Sequence, residues 1–362
     1  MKPHKWHPSC PPPRALVRPV RSDPLGVDGP TRGQTQGGRW RRTSYGYYVP
    51  ASVGGEQPEQ RVMEQSARLP PGGAVTGWAS CRLMGATFFD GLAVDGKTQI
   101  PVPLAVGASG HIRGDDAVSI SREQLSPSET VVRYGIPCTC ALRGLFDDMR
   151  GSSDIREAVV GMEMMAAARL LSISQMGAYA GTRSGWRGIA TVREALTLAD
   201  ENSRSPNETR VRLVWQLDAG FPRPLVNQPV WDHKGRLLGI ADLLDPVAGV
   251  VGEYDGADHR TAGRHSKDVA REERFRAHRL EYFKVTGPDM RTLPVVVDRM
   301  VASRGRASWL AEGSRPWTTT PPPDWPHEPT LDEYLAERAW QQSVYEQWER
   351  EGTPDVRELV DL

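Results

Sequence analysis

A chain of 362 residues is long enough for two domains with tails, and its 45 Lys and Arg are matched by 45 Asp and Glu, so overall charge does not mark it as a nucleic-acid binder. No run of 18 apolar residues and no signal-peptide pattern occurs, which argues against a helical membrane span and against secretion. The four cysteines, Cys10, Cys81, Cys138 and Cys140, space neither like a zinc site nor like a disulfide framework, and a reducing, cytoplasmic setting is expected.

Charge is uneven along the chain. Residues 1–60 carry nine Lys or Arg against four Asp or Glu, and residues 321–362 carry three against eleven, the pattern of a basic arm and an acidic tail. Residues 1–36 are dense in Pro, Gly and Arg with little apolar periodicity, and are expected to be a disordered basic arm. Residues 37–59 contain Arg39-Trp40-Arg41-Arg42-Thr43-Ser44-Tyr45-Gly46-Tyr47-Tyr48-Val49-Pro50, which reads as a small basic, aromatic hairpin.

Residues 60–200 read as an α+β scaffold. Helical segments are expected on both sides of Pro70-Pro71-Gly72-Gly73, the second over 74–84. Short strands follow at 100–106, 117–121 and 131–137, then helices at 141–149, 154–171 and 189–200. Met162, Met164 and Met165 are expected in helix core, because unbranched Met fills irregular apolar gaps.

The hairpin at 39–50 resembles the wing of the winged-helix domain at the N-terminus of AbiEi-type antitoxins. Gly135-Ile136-Pro137-Cys138-Thr139-Cys140, followed by Arg143-Gly144-Leu145-Phe146-Asp147-Asp148, resembles the middle region of the same proteins. The resemblance implies a DNA-binding autorepressor of a toxin-antitoxin system, with a cognate toxin as partner.

The most informative stretch runs from 205 to 290. Ser205 and Pro206 are helix-start signals ahead of a segment in which Val211, Val214, Trp215 and Leu217 recur at helical spacing. Two extended runs, 236–244 and 248–254, are split by Asp245-Pro246 and form a predicted hairpin. Asp242 and Glu253 then sit on neighbouring strands, each at the end of an otherwise apolar run. Burying a carboxylate there is costly unless a positive charge compensates it, and two converging carboxylates are the usual oxygen ligands of Mg²⁺. Asp255-Gly256 ends the second strand, a basic helix with Lys267, Arg271, Arg274, Arg276 and Arg279 follows, and a strand over 281–286 closes the unit.

These residues resemble the short PD-(D/E)XK-like nuclease domains related to very-short-patch-repair endonucleases. The motifs are Ser-Pro-x-Glu at 205–208, Asp242, Glu253-Tyr254-Asp255-Gly256 with His259 three residues on, Asp268-x-x-Arg271, and the 280–285 strand. The resemblance implies an α/β restriction-endonuclease-like domain over 201–305, with a central mixed sheet flanked by helices. It further implies that Asp242 and Glu253 hold Mg²⁺ or Mn²⁺, that Glu208 supports them, and that DNA is cut by phosphodiester hydrolysis. The Glu-x-Lys of the parent motif is here Glu253-Tyr254-Asp255, which is common in the short domains; Lys284 or Lys267 is the displaced positive charge. Asp255 joins the catalytic candidates. His259 is a general base, a partner of Asp255 or a loop residue, while Lys267, Arg271 and Arg274 are candidates to grip phosphates. The alternative is an antitoxin-like regulator in which the nuclease fold is a non-catalytic platform for DNA or the toxin.

Beyond this unit a helix over 294–303 is expected to pack back on the sheet. Residues 306–330 read as a Pro-rich linker, and 331–362 as an acidic helix whose Leu331, Leu335, Trp340, Val344 and Trp348 dock on the protein's own surface.

Overall fold

The computed structural model describes residues 16–256 and 262–351. The chain opens with a three-stranded antiparallel sheet of β1 (Val20–Arg21), β2 (Trp40–Ser44) and β3 (Tyr47–Pro50), in the order β1-β3-β2. The β2–β3 hairpin turns at Tyr45-Gly46, where Gly46 takes φ +76° without steric cost. Disorder over 1–36 gives way, within the described part, to ordered structure. Val20 pairs with Tyr48, the backbone N–H and C=O of Val17 both bond the side-chain amide of Gln60, and the Asp23 carboxylate accepts from the amides of Leu25, Val27 and Asp28. These bonds satisfy the backbone without a periodic apolar face, which is why composition suggested no structure there.

The second layer system contains α1 (Pro58–Ser66), β4 (Ala74–Val75), α2 (Gly77–Leu83), β5 (Val102–Ala105), β6 (Val118–Ser121), β7 (Thr130–Arg133) and β8 (Ile136–Thr139). It continues with α3 (Ala141–Gly151), α4 (Ile155–Ala167), α5 (Ile173–Gly181) and α6 (Ile189–Leu198). Its sheet has the order β6-β5-β4-β8-β7 and mixes parallel with antiparallel pairs. Leu83, Leu104, Ile136, Phe146 and Met149 share one core with Met162, Met164 and Met165, the three methionines lying buried as expected. The helix expected over 74–84 begins instead with the two-residue central strand β4, too short to carry a period of its own. The α5 segment also went unread, although Ser172 caps it with a reciprocal Gln175 contact.

The third unit starts at α7 (Pro206–Leu213), which Ser205 caps through the Glu208 amide, and runs on through a wider turn, Val214–Asp218, that sinks Trp215 into the core. Next come β9 (Leu225–Trp231), β10 (Leu237–Asp245), β11 (Val250–Asp255), α8 (Ala262–Ala277), β12 (Glu281–Thr286) and α9 (Leu293–Arg306). The sheet order is β12-β11-β10-β9, antiparallel except for β11 beside β12. A parallel neighbour requires a crossover, and α8 supplies it. Val211, Trp215, Val296 and Met300 of α7, its following turn and α9 cover one face with Leu243, Val250 and Phe283. Phe275 of α8 covers the other with Val230, Leu244, Val251 and Tyr282. The helix–hairpin–helix–strand order read from the sequence is therefore present, with β9 added at the edge. Asn227 at φ +45° and Pro229 interrupt the β9 pattern, and an edge strand tolerates both.

The region expected to be a linker is a strap. Trp317 is buried against the α8-side core, and Trp231 and Thr318 exchange two backbone hydrogen bonds of 2.9 and 2.8 Å, covering part of the free edge of β9. Then α10 (Leu331–Glu351) docks by its first turn, and the Trp348 side chain, expected to dock with it, lies outside the described residues. Leu331 packs on the N-terminal core, the Asp332 carboxylate accepts from the Ser174 hydroxyl, and Arg169 lies over the Tyr334 ring, whereas Trp340 is 62% exposed. Among the described residues no helix is long and apolar enough to cross a membrane.

The second and third units are joined through α4 and α7. Glu163 on α4 is fully buried and accepts from the Arg212 guanidinium, the Thr209 hydroxyl at 2.5 Å and the Asp200 amide at 2.8 Å. On the rim of the same contact Arg210 grips Glu157 with two 2.8 Å bonds. Glu163→Ala leaves the buried Arg212 charge without its carboxylate, with the Gln216 side-chain oxygen still accepting from it, and the expected cost in urea unfolding is about 3–5 kcal/mol; a loss below about 1 kcal/mol, the scale of a surface pair, would show that this contact does not hold the units together.

Candidate active site

The site forms where β10 and β11 part. Their ladder pairs Leu243 with Gly252, Leu244 with Val251 and Asp245 with Val250. Beyond Leu243 a side chain takes over, because Asp242 Oδ2 accepts the Tyr254 N–H at 2.9 Å. Glu253, on β11, is only 3% exposed. Its Oε2 accepts from Arg271 Nη2 of α8 at 2.6 Å and from the Tyr282 hydroxyl of β12 at 2.7 Å. Its Oε1 is buried without a hydrogen-bond partner among the described residues. Glu208, in the first turn of α7, accepts from the Ser205 hydroxyl at 2.9 Å, the Arg204 amide at 3.0 Å and the Asn227 amide nitrogen at 2.8 Å.

Two glycines make this proximity available. A Cβ on Gly239 would meet the Phe275 ring at 2.7 Å and Arg271 at 2.9 Å, so only glycine lets α8 lie close enough to β10 for Arg271 to reach Glu253. A Cβ on Gly252 would strike the Phe283 ring at 2.4 Å and displace the strand that carries Glu253.

Burial pushes the Asp242 carboxyl up to about 7, and the neighbouring charges of Glu208 and Glu253 add to the rise, while the Tyr254 N–H opposes it. Burial also raises Glu253, with the charge of Arg271 and the Tyr282 hydroxyl acting the other way. Lys284 is the register partner of Glu253 across the parallel β11–β12 ladder, favours its ionised form, and lies 4.0 Å from the Asp255 carboxylate. Asp242 thus feels both neighbouring carboxylates, while Arg271 and Lys284 act chiefly on Glu253.

The sequence-derived candidates separate clearly in space. Asp242 accepts from the amide that follows Glu253, and Glu208 acts on Asp242 through its charge, with Lys284 beside Glu253 and Asp255 half-buried at the end of β11. His259 lies outside the described residues; Lys267 belongs to α8, but its side chain lies outside them as well. Of Arg271 and Arg274, read as phosphate-gripping, Arg271 pairs with Glu253 and Asp268, whereas Arg274 stays exposed while its Nε donates to the Leu238 carbonyl at 2.8 Å. Tyr282 and Asn227 escaped the sequence reading. The i, i+2 relation of Tyr282 to Lys284 on a strand was a usable signal for the first, since both then point to the Glu253 face; Asn227 offered none.

Among the described residues no group of three or more His, Cys, Asp or Glu side chains is arranged to hold a metal ion. The donor chemistry at Asp242 and Glu253 nonetheless suits a hard divalent cation. Mg²⁺ is commonly held by one or two carboxylates with water and substrate oxygens completing its shell, and the unpartnered Glu253 Oε1 is a buried anionic oxygen of the required kind. No protein-family model, curated protein or solved structure matches this chain.

The raised Asp242 value has a stability consequence of definite sign. The group is held neutral more strongly in the folded chain than in the unfolded one, so metal-free stability falls as pH rises from about 3.8 through about 7 and the penalty stays constant above that. In EDTA, Asp242→Asn should therefore melt about 2 °C or more above the parent at pH 8, with the gap closing near pH 4. An equal or lower midpoint at pH 8 would contradict the electrostatic description.

Proposed function

We propose that residues 201–305 form a PD-(D/E)XK-like domain that hydrolyses DNA phosphodiesters with Mg²⁺ or Mn²⁺. The observation that carries this reading is the buried Glu253 Oε1, left without a partner among the described residues, on the strand whose next residue, Tyr254, donates its N–H to Asp242. The helix–hairpin–helix–strand order and the parallel β11–β12 pair support it.

Each residue then has a definite task. Asp242 and Glu253 would hold the cation, which when bound would lower the pKa of a water and offset charge on the pentavalent transition state. Tyr282 and Arg271 fix one Glu253 oxygen, so the other keeps a set direction. Lys284, beside Glu253, replaces the missing motif lysine and places a positive charge where the nucleophile and phosphate would meet. Glu208, held by Ser205 and Asn227, keeps the pocket negative enough to favour a divalent ion over a single lysine or arginine.

One observation favours the non-catalytic alternative, an antitoxin-like DNA-binding regulator. Arg271 already neutralises Glu253, as an ion pair does in a site that no longer takes a metal. The two readings part on a single assay. With supercoiled and single-stranded DNA and either cation, Asp242→Asn and Glu253→Gln should each lower cleavage at least about a hundredfold, while circular dichroism stays that of the parent, and Lys284→Ala should lower the turnover rate more than the affinity. A parent protein that binds DNA without nicking it would favour the regulator.

A further inference from the structure

The β2–β3 hairpin and the scaffold beside it line an open polar cleft of about 360 Å³ that contains none of the acidic-site residues. Its walls include Arg42, Ser44 and Tyr45 of the hairpin and Arg68, Arg113 and Asp115 of the scaffold. Small-ligand clefts usually span roughly 300–1,000 Å³, so the space is adequate for a nucleotide-sized group.

We propose that this cleft binds a phosphate group, taken up by the guanidinium groups of Arg42 and Arg113 on its wall. The only carboxylate on its wall is already committed: Arg68 Nη1 donates to both Asp115 oxygens at 2.8 and 3.0 Å, and that bonding holds Asp115 below the usual carboxylate range. Arg68 also donates to the Arg113 carbonyl, which fixes the loop that presents Arg113. Arg42 and Arg113 form no ion pair among the described residues, and their Cζ atoms lie 5.5 and 5.7 Å from the centre of the same Tyr45 ring. Both cations thus rest on one ring and line one cleft, where an anion would offset their like charge.

Arginine forks bind phosphate directly, with two N–H groups donating to two of its oxygens. The phosphate can come from a small monoester or from a nucleic-acid strand, and the two sources are distinguishable.

The test uses the full chain in EDTA at low salt, so it reads binding alone and does not depend on the proposed cleavage. The probes are inorganic phosphate, adenosine monophosphate and a short oligodeoxythymidylate without terminal phosphates, titrated by calorimetry. Saturable binding of at least one is expected, weakened about tenfold or more by Arg42→Ala and by Arg113→Ala. Arg39→Ala, an exposed arginine outside the cleft, should change nothing. Binding of the first two probes assigns a monoester; binding of the oligonucleotide alone assigns a strand. The proposal falls if no probe saturates, if Arg113→Ala binds like the parent, or if Arg39→Ala weakens binding as much as the cleft variants. Melting curves within 2 °C of the parent ensure that the losses report the cleft.

Discussion

The buried Glu163–Arg212 pair is the constraint on which the rest of the molecule depends. It sets α7 against α4, and α7 carries Glu208 into the acidic site while its apolar side, with the turn that follows, supplies Val211 and Trp215 to the core beneath the sheet. Burial alone would raise Glu163 toward neutrality, and the Arg212 charge opposes that rise, so each ion makes the other tolerable in a place where neither would be stable alone. The remaining Glu163 bonds, from Thr209 and the Asp200 amide, fix the segment that leads into α7. A polar junction of this kind sets orientation more strictly than an apolar one, because hydrogen bonds have a direction and dispersion contacts do not.

The acidic site is built on the opposite logic. At the junction Arg212 pairs with Glu163 directly; at the acidic site Asp242 has no cation partner among the described residues, and burial raises both its carboxyl and that of Glu253. The acids are held there by ordinary structural means. Gly239 and Gly252 permit close packing, the end of the β10–β11 ladder frees Asp242 to accept the Tyr254 amide, and the crossover through α8 lays β12 alongside β11 so that Tyr282 and Lys284 flank Glu253. Stability surrendered at such a place is typical of functional sites.

Much of the third unit was legible because its elements announce themselves locally. Ser205-Pro206 marks the start of α7, Asp245-Pro246 the turn, and the apolar runs around Asp242 and Glu253 are strands in either order of reading. The elements that were missed depend on partners distant in sequence. β9 is a strand because β10 lies beside it; the Pro-rich 316–323 segment is a strap because Trp231 offers it two hydrogen bonds; β4 is two residues of central strand with a neighbour on each side. Residues 16–36 follow the same rule, being ordered by the edge of β3 and by Gln60.

By itself, then, the sequence determined which segments are helices or strands where periodicity and caps are strong, and that two carboxylates fall at the ends of adjacent apolar runs. Only the tertiary structure decided that Arg271 pairs with Glu253 instead of facing solvent, that Lys284 stands beside Glu253, and that Glu253 keeps an unpartnered oxygen. The physical reason is that backbone preference acts over a few residues, whereas the charge state and direction of a buried side chain are set by groups that strand pairing and helix packing bring from elsewhere in the chain.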